Sequence, residues 1–218
     1  MNRLFTTECR PPWLIARFAD RQRMVSWSLN RPGIVESDTV AWLQVSDADL
    51  TYDVDPLELL ERRLAERGIS NAVGLMTARE VSHHHFATSG GGGVVAEALV
   101  TLGLTNSIEL DALGLPYDEP IKETVGTINM LVAVSCPLRD EAMLEAMSVT
   151  TIARTAALLT DHGRIVGTGT DCVVVTCPNA AAGARFAGLH TGIGQHVAAS
   201  VFRATRAART RWEEAYAT

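Results

Sequence analysis

The chain has 218 residues, 47% of them hydrophobic and 20% charged, with a formal net charge of −6 at pH 7. A sequence this long and this apolar can bury a full core, which excludes a disordered chain and a charge-rich coiled coil. The negative balance gives no electrostatic help to nucleic-acid binding, so no nucleic-acid partner is expected.

The predicted elements follow in chain order. Trp13–Phe18, Met24–Leu29 and Thr39–Val45 are rich in β-branched and aromatic residues and are punctuated by turn residues at 30–33 and 46–49, which predicts three strands. A helix follows from Pro56 to Gly68. Asp55 stands where a cap is needed, Glu58 three residues on completes a capping box, and Leu57, Leu60 and Leu64 line one face. Val73–Met76 and Val94–Leu102 read as buried strands separated by Ser82–Gly93, a segment holding His83-His84-His85 and the run Gly90–Gly93. This separator reads as a flexible, partly exposed loop. Consecutive residues of an extended segment alternate faces, so at most two of the three histidines could reach one ion, and no Gly-Lys-Ser/Thr follows the glycines. Neither a metal site nor a phosphate loop is expected.

Thr124–Val134 predicts a long strand, Arg139–Leu159 a helix stopped at Asp161-His162-Gly163, and Asp171–Cys177 a strand ended by Pro178. A last helix runs from Ile193 to about Tyr216, and Arg203, Arg206, Arg209 and Arg211 suit the C-terminal end of its dipole on a solvated face. Early strands followed by strands alternating with helices predict one α+β domain over residues 1–218, with helices layered on sheet. The four cysteines, Cys9, Cys136, Cys172 and Cys177, form no C-x-x-C pair and are too sparse for a disulfide scaffold. The N-terminal residues lack the apolar core of a secretory signal, and no run reaches the roughly 18 apolar residues of a membrane span. The expectation is a cytoplasmic protein without membrane insertion; a homo-oligomer is compatible with it.

Three stretches are over-supplied with small polar residues at the ends of apolar runs: Gly103 to Ser107 with Thr105 and Asn106, Gly126-Thr127-Ile128-Asn129, and Gly167-Thr168-Gly169-Thr170-Asp171. Backbone N–H groups and short hydroxyls at a sheet end make a neutral cradle suited to an amide carbonyl or its oxyanion, although turns use the same residue types. Thr127 and Asn129, two apart in a strand, face the same side.

In order and spacing these stretches resemble the adenosylcobinamide amidohydrolase (CbiZ) family over about residues 20–205. The likeness is carried by Val73–Ala78, Thr101–Asn106, Gly126–Asn129, Cys136-Pro137-Leu138, Ala153–Leu158, Gly167–Val175 and Phe186–Gly194. Such a resemblance implies an amidohydrolase of corrinoid salvage, within cobalamin biosynthesis, that removes the aminopropanol arm of adenosylcobinamide to leave adenosylcobyric acid. It implies a corrinoid as substrate and no further cofactor. Near the N-terminus the family's Ser-containing strand is kept as Ser26-Trp27-Ser28-Leu29-Asn30, which brings Ser28 and Asn30 among the substrate-binding candidates with Asn106, Asn129, Thr168 and Thr170. Arg31-Pro32 stands where the family shows two glycines, and proline removes a donor from that turn.

The second half also looks like the catalytic half of the L-aminopeptidase D-esterase and ornithine acetyltransferase families, which are αββα sandwiches cleaved before a Ser or Thr nucleophile. That likeness would put Thr127 at the nucleophile and Asp171 at the later acid. A threonine needs a base, either a side chain or its own freed amine. Asp171 and His190 are the side-chain candidates, for activating Thr127 or a water, and the chain is expected to stay intact. Two further readings stand beside the amidase: a corrinoid-binding domain without turnover, and a related hydrolase for another amide.

Overall fold

The computed structural model of the chain describes residues 3–113 and 126–216. Its strands are β1 (Thr6–Arg10), β2 (Trp13–Ser26), β3 (Gly33–Gln44), β4 (Val73–Thr77), β5 (His85–Gly91), β6 (Val94–Leu102), β7 (Ser107–Glu109), β8 (Ile128–Val134), β9 (Ile165–Thr168) and β10 (Cys172–Pro178). The helices are α1 (Pro56–Glu66), α2 (Asp140–Leu158) and α3 (Gly192–Tyr216). Seven strands pair in the order β4-β3-β2-β10-β8-β6-β5, β1 adds to β2, and β7 and β9 form a separate pair. The large sheet is mixed: β3 and β4 are parallel, as are β8 and β10, and the other pairs are antiparallel.

Side-chain alternation decides how this sheet folds. Along β8, Ile128, Met130, Val132 and Val134 join a core with α2 and α3, whereas Leu131 and Ala133 point the other way. Leu99 of β6 and Val174 of β10 share that second direction, and there they meet Leu14, Val40, Trp42, Val73 and Leu75 from the β2–β4 end of the sheet. Both faces of the central strands are therefore apolar, and the sheet curls until its concave face closes on itself. On the convex side of β2 and β3, Ile15, Ala41 and Leu43 pack under Leu59, Leu60 and Leu64 of α1, each leucine contributing about 1.5–3 kcal/mol by burial. The layers run α1, then β4-β3-β2, then β10-β8-β6-β5, then α2 with α3. This is an α+β layered sandwich. Among the described residues no helix is long and apolar enough to cross a membrane.

Local signals explain most elements. Asp55 caps α1, its carboxylate accepting from the N–H of Leu57 at 2.7 Å and of Glu58 at 3.3 Å. Three expectations need correction. The segment Trp13–Phe18 and the first residues of Met24–Leu29 belong to one 14-residue strand, because Ala19 and the polar residues 20–23, exposed or half-buried, stay extended across a register shift between Arg17 and Gln22. Residues 27–29 have already left the sheet. The separator at 82–93 is ordered by pairing rather than looped: Val81–His83 make a 3-10 turn, the His84 ring meets the Val81 carbonyl at 2.8 Å, and His85–Gly91 pair in full with β6. Burial pushes the His83 and His85 imidazoles below their ordinary pKa. Third, β8 begins at Ile128, with Gly126 and Thr127 outside the strand; the first two residues of the expected segment, 124 and 125, lie outside the described residues.

Candidate functional site

Where the curled sheet brings β4 over the start of β8 and β10, it leaves a half-open cleft of about 470 Å³. One wall is apolar, from Trp27, Leu29, Leu50, Leu60 and Met76; the other end is polar, from Ser28, Thr127, Asn129, Thr170 and Asp171. A cleft with one apolar wall and a few convergent polar groups is the usual form of a small-molecule site.

The polar end is built by three backbone segments tied to one another. Thr127 immediately precedes β8, and its hydroxyl donates to the Thr170 carbonyl at 2.8 Å, with Asn129 Oδ1 a more distant acceptor at 3.3 Å. The Asn129 amide donates across the layers to the Met76 carbonyl at 2.6 Å, joining β8 to the opposite end of the sheet. Thr170 in turn donates its hydroxyl to the Gly126 carbonyl at 2.9 Å. Gly126 is sterically required: a Cβ there would lie 2.5 Å from Thr105 Oγ1 and 2.7 Å from Asn106 Oδ1. The turn at 103–107 thus reaches the cleft edge only through glycine. The Asn106 side-chain oxygen is buried there without a hydrogen-bond partner among the described residues.

Asp171 organises the whole corner. Its carboxylate accepts from the Ile128 N–H at 3.0 Å, the Thr168 N–H at 3.1 Å and the Thr168 hydroxyl, and it forms an ion pair with Arg154 of α2. The two side chains are only 8% and 11% exposed. Every favourable direction around the carboxylate is occupied, so Asp171 fixes the start of β8 and the turn at 168–171. Thr168 serves that turn and sits on Asp171 rather than in the cleft wall.

The remaining sequence-predicted residues divide. Ser28 is buried in the cleft lining, its N–H held by the Ser26 hydroxyl at 3.3 Å. Asn30 stands outside the cleft and staples β4, giving its amide to the Ala72 carbonyl at 3.0 Å and accepting from the Gly74 N–H at 2.9 Å. His190 is exposed before α3, its ring 6.2 Å from that of Phe186. That end of α3 lies by Gly91, whose carbonyl meets His196 Nε2 at 3.2 Å, whereas Trp212 near the other end lies against Gly103 beside Thr127. His190 is therefore at the far end of β6 and β8 from the cleft. The nearby Gly188 and Ala187 N–H groups are capped by the Glu145 carboxylate at 3.0 and 2.7 Å, so the Phe186–Gly194 stretch is built as an entry to α3.

Chemically the polar end is a neutral hydrogen-bonding cradle. Its ionisable lining groups among the described residues are Asp171, already committed, and Cys172, whose thiol burial pushes up to about 12. No three His, Cys, Asp or Glu side chains gather around one point among the described residues. Two residues of the site carry weak sequence signals. Arg154 is a lone charge on an Ala-rich helix segment, the mark of a buried pair, and Trp27 is the outward member of an alternating Ser-Trp-Ser.

The family model "CbiZ: Adenosylcobinamide amidohydrolase" matches residues 2–217. A curated relative, the adenosylcobinamide amidohydrolase of Halobacterium salinarum, is 31% identical over 155 residues, covering 69% of this chain and 65% of that protein. The match thus spans less than two thirds of the relative's length. Among solved structures, the PH0078 protein from Pyrococcus horikoshii OT3 is similar with a TM-score of 0.45 at 10% identity, over 94% of this chain and 82% of that one.

Proposed function

Because this chain belongs to the adenosylcobinamide amidohydrolase family, we propose that it hydrolyses the aminopropanol amide of adenosylcobinamide, giving adenosylcobyric acid and 1-amino-2-propanol. The reaction consumes one water, which supplies oxygen to the new carboxylate and hydrogen to the departing amine. We take it to be a cytoplasmic step of corrinoid salvage that uses no metal or cofactor of the protein's own. The single observation that carries the reading is the meeting of Thr127, Asn129, Thr170 and Ser28 at the polar end of one cleft.

In this proposal the amide arm enters along the apolar wall and its carbonyl rests at the polar end. Thr127 Oγ1 attacks the carbonyl carbon, the substrate's own amide nitrogen taking up the hydroxyl proton in place of a protein base as it departs, and water then cleaves the resulting ester. The donors left to meet a developing oxyanion are the Ser28 hydroxyl and the second N–H of the Asn129 amide, held by their other contacts so that they need no reorganisation. Asp171 and Arg154 act as positioning residues, holding Thr127 and the Thr170 carbonyl in register. The test is incubation of purified protein with adenosylcobinamide, followed by chromatography for adenosylcobyric acid. No product from the protein, with an authentic family member active alongside, removes the reading.

A second reading is a corrinoid-binding domain without turnover. What favours it is the full engagement of Asp171, which leaves no free side-chain base among the described lining residues. Tight corrinoid binding with no hydrolysis selects it.

A further inference from the structure

A cleft of about 470 Å³ has the size that encloses a drug-sized molecule. It accepts the amide arm of a corrinoid, while the macrocycle is too large to follow and has to rest on the mouth. The mouth offers one unusual surface. Trp27 and Leu29 are 46% and 54% exposed, although Ser26 and Ser28 beside them are buried. The segment therefore turns its small polar side chains inward and its large apolar ones outward, the inverse of the usual order of burial. Trp27 is also held in place: its indole N–H donates to the Asp171 carbonyl at 2.7 Å. An aromatic ring fixed before the ligand arrives loses little conformational freedom on binding. Among the described residues no unpaired charge lines the cleft, so a charged arm would gain nothing there, whereas a broad apolar ring edge would.

We propose that Trp27, with Leu29 beside it, seats the macrocycle that carries the scissile arm. The inference rests on the reading of the cleft as a corrinoid amide site. It makes Trp27 a residue of substrate recognition that no comparison of polar motifs singles out.

The test measures binding and turnover separately. Calorimetric titration with dicyanocobinamide, which has the macrocycle and arm but no nucleoside, is run on wild type, Trp27→Ala and Trp27→Phe. The steady-state constants for adenosylcobinamide are measured on the same proteins. Loss of an aromatic platform weakens binding by about tenfold or more, so Trp27→Ala raises Kd and KM together, kcat changes little, and Trp27→Phe, which keeps a ring but not the N–H that fixes it, restores part of the affinity. An unchanged Kd in Trp27→Ala overturns the inference, as does a fall in kcat at constant Kd, which would make Trp27 only a prop for the Asp171 turn. A loss confined to the adenosylated corrinoid also overturns it, since the contact would then be to the nucleoside. Failure of wild type to bind dicyanocobinamide sinks it outright. If wild type binds with this Trp27 dependence yet hydrolyses nothing, the seat stands and the proposed reaction falls.

Discussion

Replacing Asp171 by asparagine tests the corner that holds the cleft. Asparagine keeps the shape and one acceptor oxygen, so the Ile128 N–H and the Thr168 hydroxyl can still be served. Its amide nitrogen, however, would face both the Thr168 N–H and the Arg154 guanidinium, donor against donor, and Arg154 would lose its counter-charge while about nine-tenths buried. Breaking a buried pair from one side costs about 3–5 kcal/mol, most of it from the charge left behind. Solvent screening does little to reduce this, because both side chains are close to a tenth exposed. For a domain of this size that corresponds to a fall in Tm of roughly 10 °C. Urea denaturation followed by circular dichroism gives the free energy, and the Asp171→Asn/Arg154→Met double variant supplies the control: with the guanidinium removed as well, part of the stability returns, because the asparagine oxygen still accepts from the Ile128 N–H and the Thr168 hydroxyl and no charge is left behind. A stability loss under about 1 kcal/mol in Asp171→Asn would refute the reasoning. So would a variant of unchanged stability whose pH–rate profile had lost a limb, because Asp171 would then be moving a proton.

The other predictions concern the nucleophile, the integrity of the chain and the inner layer. Thr127→Ala is expected to lower kcat by at least about 10³-fold at a stability cost of about 1 kcal/mol for one hydrogen bond, with Thr127→Ser partly active; retention of activity in the alanine variant removes Thr127 from the chemistry. Denaturing mass spectrometry is expected to give one intact species, and two fragments meeting between Gly126 and Thr127 would instead supply the base from the freed amine. Glu97, 2% exposed, accepts from the Leu4 N–H at 3.0 Å, and burial pushes its carboxyl above the ordinary 4.5. Folding thus favours its protonated form, so its contribution is full below about pH 4.5 and is lost as pH rises through the raised pKa. Glu97→Gln, whose amide oxygen can still accept from Leu4, should become progressively more stable than wild type as pH climbs from there; parallel melting curves across pH would refute this.

Much of the frame was legible because its signals are local. The cap and leucine face of α1, the punctuated strands and the Ala-rich α2 follow from periodicity and turn chemistry within a few residues. The shared face of Thr127 and Asn129 depends only on strand-like spacing, and both line the cleft. What escaped depends on distant pairing. β5 looks like a loop because histidines and glycines have little strand propensity, yet β6 supplies all its partners. His190 and Thr127 carry motifs of similar appearance, and nothing local tells that they sit at opposite ends of β8. Arg154 is visible as an isolated charge, but its target, Asp171, lies 17 residues on.

The central claim is that the amide arm of the corrinoid enters at Thr127. The most direct measurement is photo-cross-linking with a cobinamide analogue bearing a diazirine at the end of that arm, followed by peptide mass spectrometry. The account predicts label on the segments around Thr127–Asn129 and Thr170–Cys172, competed away by unlabelled adenosylcobinamide. Label concentrated around His190 and the start of α3 would contradict it.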